Sequence, residues 1–148
     1  MDAVIFDIDG TLSIITEERQ ELIKKRSWDK FHRLSICAPV NEAIKAKLLH
    51  YWARRNTELV LLTARAERWR ESTIHWLEKN DIPFDRLLMR INGDRRQSFH
   101  SKKEHVETLV NFEARNVIVA YDDRQQDIDL FESMGIKAIK VEGQNEHF

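Results

Sequence analysis

Ala3-Val4-Ile5-Phe6-Asp7-Ile8-Asp9-Gly10-Thr11 joins an apolar run to two acids and a glycine within nine residues. The run Ala3–Phe6 is continuous and apolar and meets turn punctuation at Gly10, the pattern of a buried strand. A backbone turn at Ile8 lets both acids approach one point at the strand's tip. Carboxylates packed together repel, so that arrangement invites a divalent cation. A polar turn that merely ends a strand is the plainer alternative, and the remainder of the chain argues against it.

The 148 residues suit a single domain with a full core, taken as 1–148. Hydrophobic residues make up 42% and charged residues 33%, the balance of an ordinary soluble protein somewhat rich in charge. No apolar stretch reaches the length of a membrane span. The first residues enter a strand at once, without the charged and apolar regions of a secretory signal. Cys37 is the only cysteine, which excludes an intrachain disulfide and a thiolate zinc cluster and predicts a small, at least half-buried side chain. These features place the chain in a reducing, cytoplasmic setting with no membrane partner. The net charge of −1 gives no global attraction to nucleic acid, so such binding needs a local patch.

Apolar runs alternate with helical segments, which predicts an α/β fold with a mainly parallel sheet. Five strands are expected at Ala3–Phe6, Glu58–Leu62, Arg86–Met89, Asn116–Ala120 and Lys137–Val141. Helices are expected over Glu17–Arg26, Asn41–Arg54 with Asn41 as N-cap, Ala66–Asn80, Lys102–Phe112 and Gln125–Met134. Trp52 and Trp76 read as core, and Gly143–Phe148 as a frayed end.

In open parallel sheets, ligands bind beyond the carboxyl ends of the strands. Here the first strand delivers Asp7 and Asp9, the second Thr63-Ala64-Arg65, and the fourth Asp122-Asp123-Arg124. The third runs into a cationic loop, Arg90 to Arg96, and Ser101-Lys102-Lys103 follows. The set describes an anionic metal seat ringed by groups that grip phosphate. Mg2+ takes oxygen ligands, and Asp7 and Asp122 can supply two of them. A carboxylate nucleophile would form an aspartyl-phosphate and split the reaction into two steps. Asp9 is placed to protonate the leaving oxygen and then to take a proton from water. Thr63 and Lys102 would hold phosphate oxygens.

These motifs, in this order, resemble the haloacid dehalogenase superfamily of phosphatases along nearly the whole chain. The resemblance implies a three-layer, Rossmann-like fold with a five-stranded sheet and the first strand near its centre. It implies that Asp7 is the nucleophile and Asp9 the acid/base. Mg2+ would be held by Asp7, Asp122 and the carbonyl of Asp9, with Asp123 beside the metal. Thr63 and Lys102 would bind phosphate; Lys103 stays open as an alternative to Lys102, although spacing from Gly93-Asp94 favours Lys102. Within the superfamily the sequence is most similar to the 3′-phosphatase domain of phage-type polynucleotide kinase. The features that carry this are Thr63-Ala64-Arg65, Met89-Arg90 with Gly93-Asp94, and Asp122-Asp123-Arg124 with Ser133-Met134-Gly135-Ile136. On that likeness Arg65 and Arg90 contact the substrate phosphate or nucleotide. The family often has an aspartate shortly before the motif lysine, where this chain reads Gln97-Ser98-Phe99-His100. No Gly-x-x-x-x-Gly-Lys-Ser/Thr loop occurs in these residues, so no kinase half is expected among them.

Neither Leu12–Val40 nor Arg90–Ser101 is long enough for a large cap domain, so an open site suited to a polynucleotide 3′ end is expected. The rim arginines Arg65, Arg68, Arg70, Arg90, Arg95, Arg96 and Arg124 point the same way, although Arg68 and Arg70 read more simply as a solvated helix face. The alternative is the same chemistry on a free nucleoside monophosphate or another small phosphate ester. A phospho-acceptor signalling domain is disfavoured, because Leu87-Leu88-Met89-Arg90 offers no acceptor at the third strand.

Overall fold

The computed structural model describes residues 1–141. Five parallel strands form one sheet: β1 (Asp2–Phe6), β2 (Thr57–Ala66), β3 (Arg86–Arg90), β4 (Asn116–Asp122) and β5 (Ala138–Lys140). Their spatial order is β3-β2-β1-β4-β5, which puts β1 at the centre. Val4 pairs in register with Leu59 of β2 and Val119 of β4, and Phe6 with Leu61 and Tyr121. The expected frayed end Gly143–Phe148 lies outside the described residues.

The strands are apolar without alternation because helices cover both faces of the sheet. Val4, Phe6, Leu59 and Leu61 look to one side, where Leu48 of α3 (Glu42–Trp52) and Trp76 and Leu77 of α4 (Arg70–Lys79) close the core. Ala3, Ile5, Val60 and Leu62 look to the other, against Val106 of α5 (Ser98–Glu107) and Phe131 of α6 (Gln125–Ser133). One residue of register slip would exchange these sets, so packing fixes the pairing. Between β1 and α3 lie two short helices, α1 (Glu17–Lys24) and α2 (Trp28–Leu34). Trp76 Nε1 donates to the Ala38 carbonyl at 3.0 Å and ties the end of this segment to α4.

Several boundaries differ from the sequence expectation. β2 runs on to Ala66, with an irregularity in its pairing to β3 between Leu62 and Ala66. A 3-10 turn over Glu67–Trp69 then precedes α4, so the helix expected from Ala66 begins at Arg70. The physical cause lies in Arg65, whose side chain is anchored on Asp9 and keeps the backbone extended past Thr63. α5 begins one turn earlier than Lys102, at Ser98, and passes into a π turn over Thr108–Phe112. Asn41 caps α3 as expected, accepting from the Ile44 N–H at 3.4 Å. Trp52 is 43% exposed instead of core, and Cys37 is exposed instead of half-buried. Both sit where an element ends, so no second layer covers them.

Candidate active site

β1 lies between β2 and β4, and the chain's crossovers leave in opposite directions on its two sides. Such a switch point opens a crevice at the carboxyl ends of the strands. Asp7 leaves β1 there and stays tied to β4, its N–H donating to the Tyr121 carbonyl at 3.0 Å. Asp122 is the last residue of β4, and Asp123 follows it. Carboxylate oxygens of Asp7, Asp122 and Asp123 lie within 4.8 Å of one another. Gly10 makes this approach possible: its φ is +86°, and a Cβ there would sit 2.6 Å from Cγ of Asp123. Only glycine meets both conditions.

Lys102, on the second turn of α5, is 1% exposed and reaches into the same cluster. Its Nζ donates to Asp122 Oδ2 at 2.7 Å, Asp127 Oδ2 at 3.0 Å and Asp7 Oδ1 at 3.1 Å. Lys103 is exposed and 3.9 Å from Glu107, so Lys102 is the lysine that enters the site. The other Asp7 oxygen, Oδ2, accepts from Thr11 Oγ1 at 3.0 Å. Asp122 Oδ1 accepts the Asp123 and Arg124 N–H groups at 2.8 and 3.2 Å.

One buried lysine faces four acids here. Burial and the neighbouring Asp122 push Asp7 well above the ordinary carboxylate range, despite Lys102. Burial and Asp122 likewise push Asp123 up to about 7. Burial pushes Lys102 down, but Asp122, Asp7 and Asp127 outweigh it and hold the ammonium charged. Asp123 Oδ1 is buried without a hydrogen-bond partner. Uncompensated negative charge, an orphaned carboxylate oxygen and an all-oxygen donor set fit a hard divalent cation such as Mg2+.

Asp9 belongs to a different environment. Arg65 grips it bidentately, Nε to Oδ2 and Nη2 to Oδ1, both at 2.8 Å. Arg19 of α1 adds a third contact, Nη2 to Oδ1 at 2.6 Å. Burial alone would push this carboxyl up, but the guanidiniums of Arg65 and Arg19 hold it far below the ordinary range. Arg19 is itself buried, donating to Ser35 Oγ at 2.9 Å with its guanidinium 4.3 Å from the Phe31 ring centroid.

Arg65 is 3% exposed and lies inside the site, its third nitrogen Nη1 donating to Thr73 Oγ1 at 3.0 Å. Thr63 is buried two residues past the Phe6–Leu61 pair, level with the turn that carries the acids. Arg90 ends β3, and its Nη2 donates to the Arg96 carbonyl in the following loop. Sequence reading missed three residues. Thr11, Arg19 and Asp127 look like a turn hydroxyl, a surface helix residue and a helix first-turn acid. Nothing in one sequence separates them from those commonplace roles.

The family model for the polynucleotide kinase PNKP phosphatase domain matches residues 1–145. The chain belongs to that family. This PNKP-type phosphatase domain has the α/β fold of the haloacid dehalogenase group, with its five parallel strands in one sheet. Among solved structures, a chain of the Pnkp1/Rnl/Hen1 RNA repair complex superposes with TM-score 0.78 at 27% identity, over 95% of this chain and 42% of that one. The PNKP-type domain thus spans less than half the length of that relative. A hydrolase from Streptococcus pneumoniae TIGR4 shares the fold at TM-score 0.61 and 15% identity, covering 93% of this chain and 90% of that one. Class C acid phosphatase from Bacillus anthracis, with tungstate bound, does so at 0.61 and 14%, covering 95% and 65%. Among curated proteins none matches the sequence. Among the described residues, no helix is long and apolar enough to cross a membrane.

Proposed function

We propose that this PNKP-type phosphatase domain is a Mg2+-dependent phosphomonoesterase that removes the 3′-phosphate from polynucleotide ends through an aspartyl-phosphate. The observation that carries it is the meeting of Asp7, Asp122 and Asp123 beside Lys102 at the switch-point crevice. Asp7, Asp122 and Asp123, with the Asp9 carbonyl, would hold Mg2+, which supplies charge neutralisation between nucleophile and phosphate when bound.

Asp7 attacks phosphorus, and the bond from phosphorus to the 3′-oxygen breaks. Asp9 gives its proton to that oxygen. Water then attacks the phosphorus of the aspartyl-phosphate, the bond to Asp7 breaks, and Asp9 takes the water's proton as inorganic phosphate forms. Lys102 and the Thr63 hydroxyl stabilise the equatorial oxygens. The clamp of Arg65 and Arg19 keeps Asp9 ionised in the free protein. A phosphate dianion beside Asp9 raises its pKa by like-charge repulsion and competes for the same guanidiniums, which favours the acid form. Arg65 and Arg90 are the substrate-facing arginines in this scheme.

Two observations favour a polymer end over a small metabolite. The segment between β1 and α3 holds only two short α-helices and a 3-10 turn, and residues 91–97 between β3 and α5 form a loop, so neither builds a full cap. The family itself is defined by polynucleotide kinase phosphatase domains. The test compares hydrolysis of a 3′-phosphorylated oligonucleotide with that of nucleoside 3′-monophosphates, with and without Mg2+. Faster turnover of the oligonucleotide, lost in a chelator, is expected. Preference for the mononucleotide would refute the polynucleotide assignment and leave the phosphatase chemistry standing.

A further inference from the structure

The α1–α2 segment carries a surface that the chemistry at Asp7 does not use. Between positions 24 and 33 it presents Lys24, Lys25, Arg26, Lys30 and Arg33, all exposed. The single acid in that stretch, Asp29, is engaged by Arg68 at 2.5 Å. Lys24 pairs loosely with Glu21, 3.2 Å away and exposed. In the middle stands Trp28, 46% exposed, its ring edge-on to Phe31 with centroids 5.7 Å apart. That contact leaves nearly half of the residue's surface open to solvent. The chain nevertheless carries a net charge of −1 and an acidic crevice, so this concentration of cations is local.

The segment is fastened to the reactive centre. Phe31 lies against Arg19, and Arg19 grips Asp9. On the other side His32 packs on Trp69, with ring centroids 5.2 Å apart. The loop after β3, whose Asn92 Oδ1 accepts from the Arg68 N–H at 2.8 Å, adds Arg95, exposed and in no ion pair among the described residues. A polyanion that delivers its end to an acidic crevice needs a cationic approach beside it. An exposed tryptophan set among cations is the combination that binds single strands, with stacking on bases and charge on phosphates.

We propose that the α1–α2 segment is the docking surface for the single strand behind the reacting phosphate. Trp28 stacks on one of its last bases, and Lys25, Arg26, Lys30 and Arg33 follow the backbone. The proposal rests on the polynucleotide reading above and names the residues that would distinguish a polymer from a mononucleotide.

Binding and turnover test it separately. A fluorescent oligonucleotide of about twelve residues ending in a 3′-hydroxyl is titrated against wild type, Trp28→Ala and the double variant Lys25→Glu/Lys30→Glu. Thermal melts check that each variant is folded. Loss of one stacked base is expected to weaken binding on the order of tenfold in Trp28→Ala. The double variant is expected to lower the slope of log Kd against log salt by about 1.4, the value for two lost phosphate contacts on a single strand. In turnover, the ratio of kcat/KM on the 3′-phosphorylated oligonucleotide to that on a nucleoside 3′-monophosphate should fall about tenfold in either variant. Abasic substitution at the terminal or penultimate position identifies the stacked base by abolishing the Trp28→Ala effect. Folded variants that bind the oligonucleotide as wild type does, with the same salt slope, overturn the docking surface. Binding that depends on these residues in a protein unable to hydrolyse 3′-phosphorylated ends would keep the surface and discard the 3′-phosphatase assignment.

Discussion

Asp7→Asn keeps the side chain's shape but removes the nucleophilic charge. It is expected to abolish turnover while circular dichroism and melting stay native; a fully active variant would exclude the covalent route. Asp123 gives a pH prediction whose sign follows from its raised pKa. The folded chain keeps this proton up to about pH 7, whereas the unfolded chain releases it near an ordinary value of about 4. Asp123 therefore contributes a stability term present below about pH 4 and lost as pH rises through about 7. Metal-free protein should lose stability to urea over that window. A cation that needs the carboxylate competes with the same proton, so Mg2+ should protect more strongly at about pH 8 than at about pH 6. Equal protection at both would remove Asp123 from the cation site.

At the scale of elements, the turn after β1 depends on Gly10. A methyl group there meets the Asp123 carboxylate, and φ of +86° strains any other residue. Gly10→Ala is expected to cost about 1–3 kcal/mol in stability and to lower kcat by an order of magnitude or more, as Asp123 is displaced. Urea denaturation and initial rates measure the two effects apart. α1 reaches the reacting groups through Arg19: Arg19→Lys keeps a cation but loses the planar fork that contacts both Asp9 and Ser35. Its expected signature is a shift in the pH profile of kcat, because Asp9 loses part of the clamp that holds it ionised. A uniform drop in rate at every pH would mean that Arg19 serves packing only.

Across the whole molecule, Lys102 joins α5, β1, β4 and α6 through three carboxylates contributed by segments far apart in sequence. Lys102→Met leaves those acids buried without their cation, a change that typically costs about 3–5 kcal/mol. Urea melts of the variant and the wild type measure that loss. The strands were legible in the sequence because both faces of the sheet are covered, so each strand is an uninterrupted apolar run that no solvent face dilutes. That Asp7, Asp122 and Asp123 would come together was legible because strand ends announce where a crevice lies. Trp52 and Cys37 were misplaced because burial depends on which neighbour happens to cover an element's end. Sequence order and hydrophobic periodicity thus determined the five-stranded framework and the acids at its edge. Only the tertiary structure decided that Arg19 and Arg65 hold Asp9 while Lys102 and Asp127 attend Asp7 and Asp122, since electrostatic partnership depends on distance in space, and no local pattern records it.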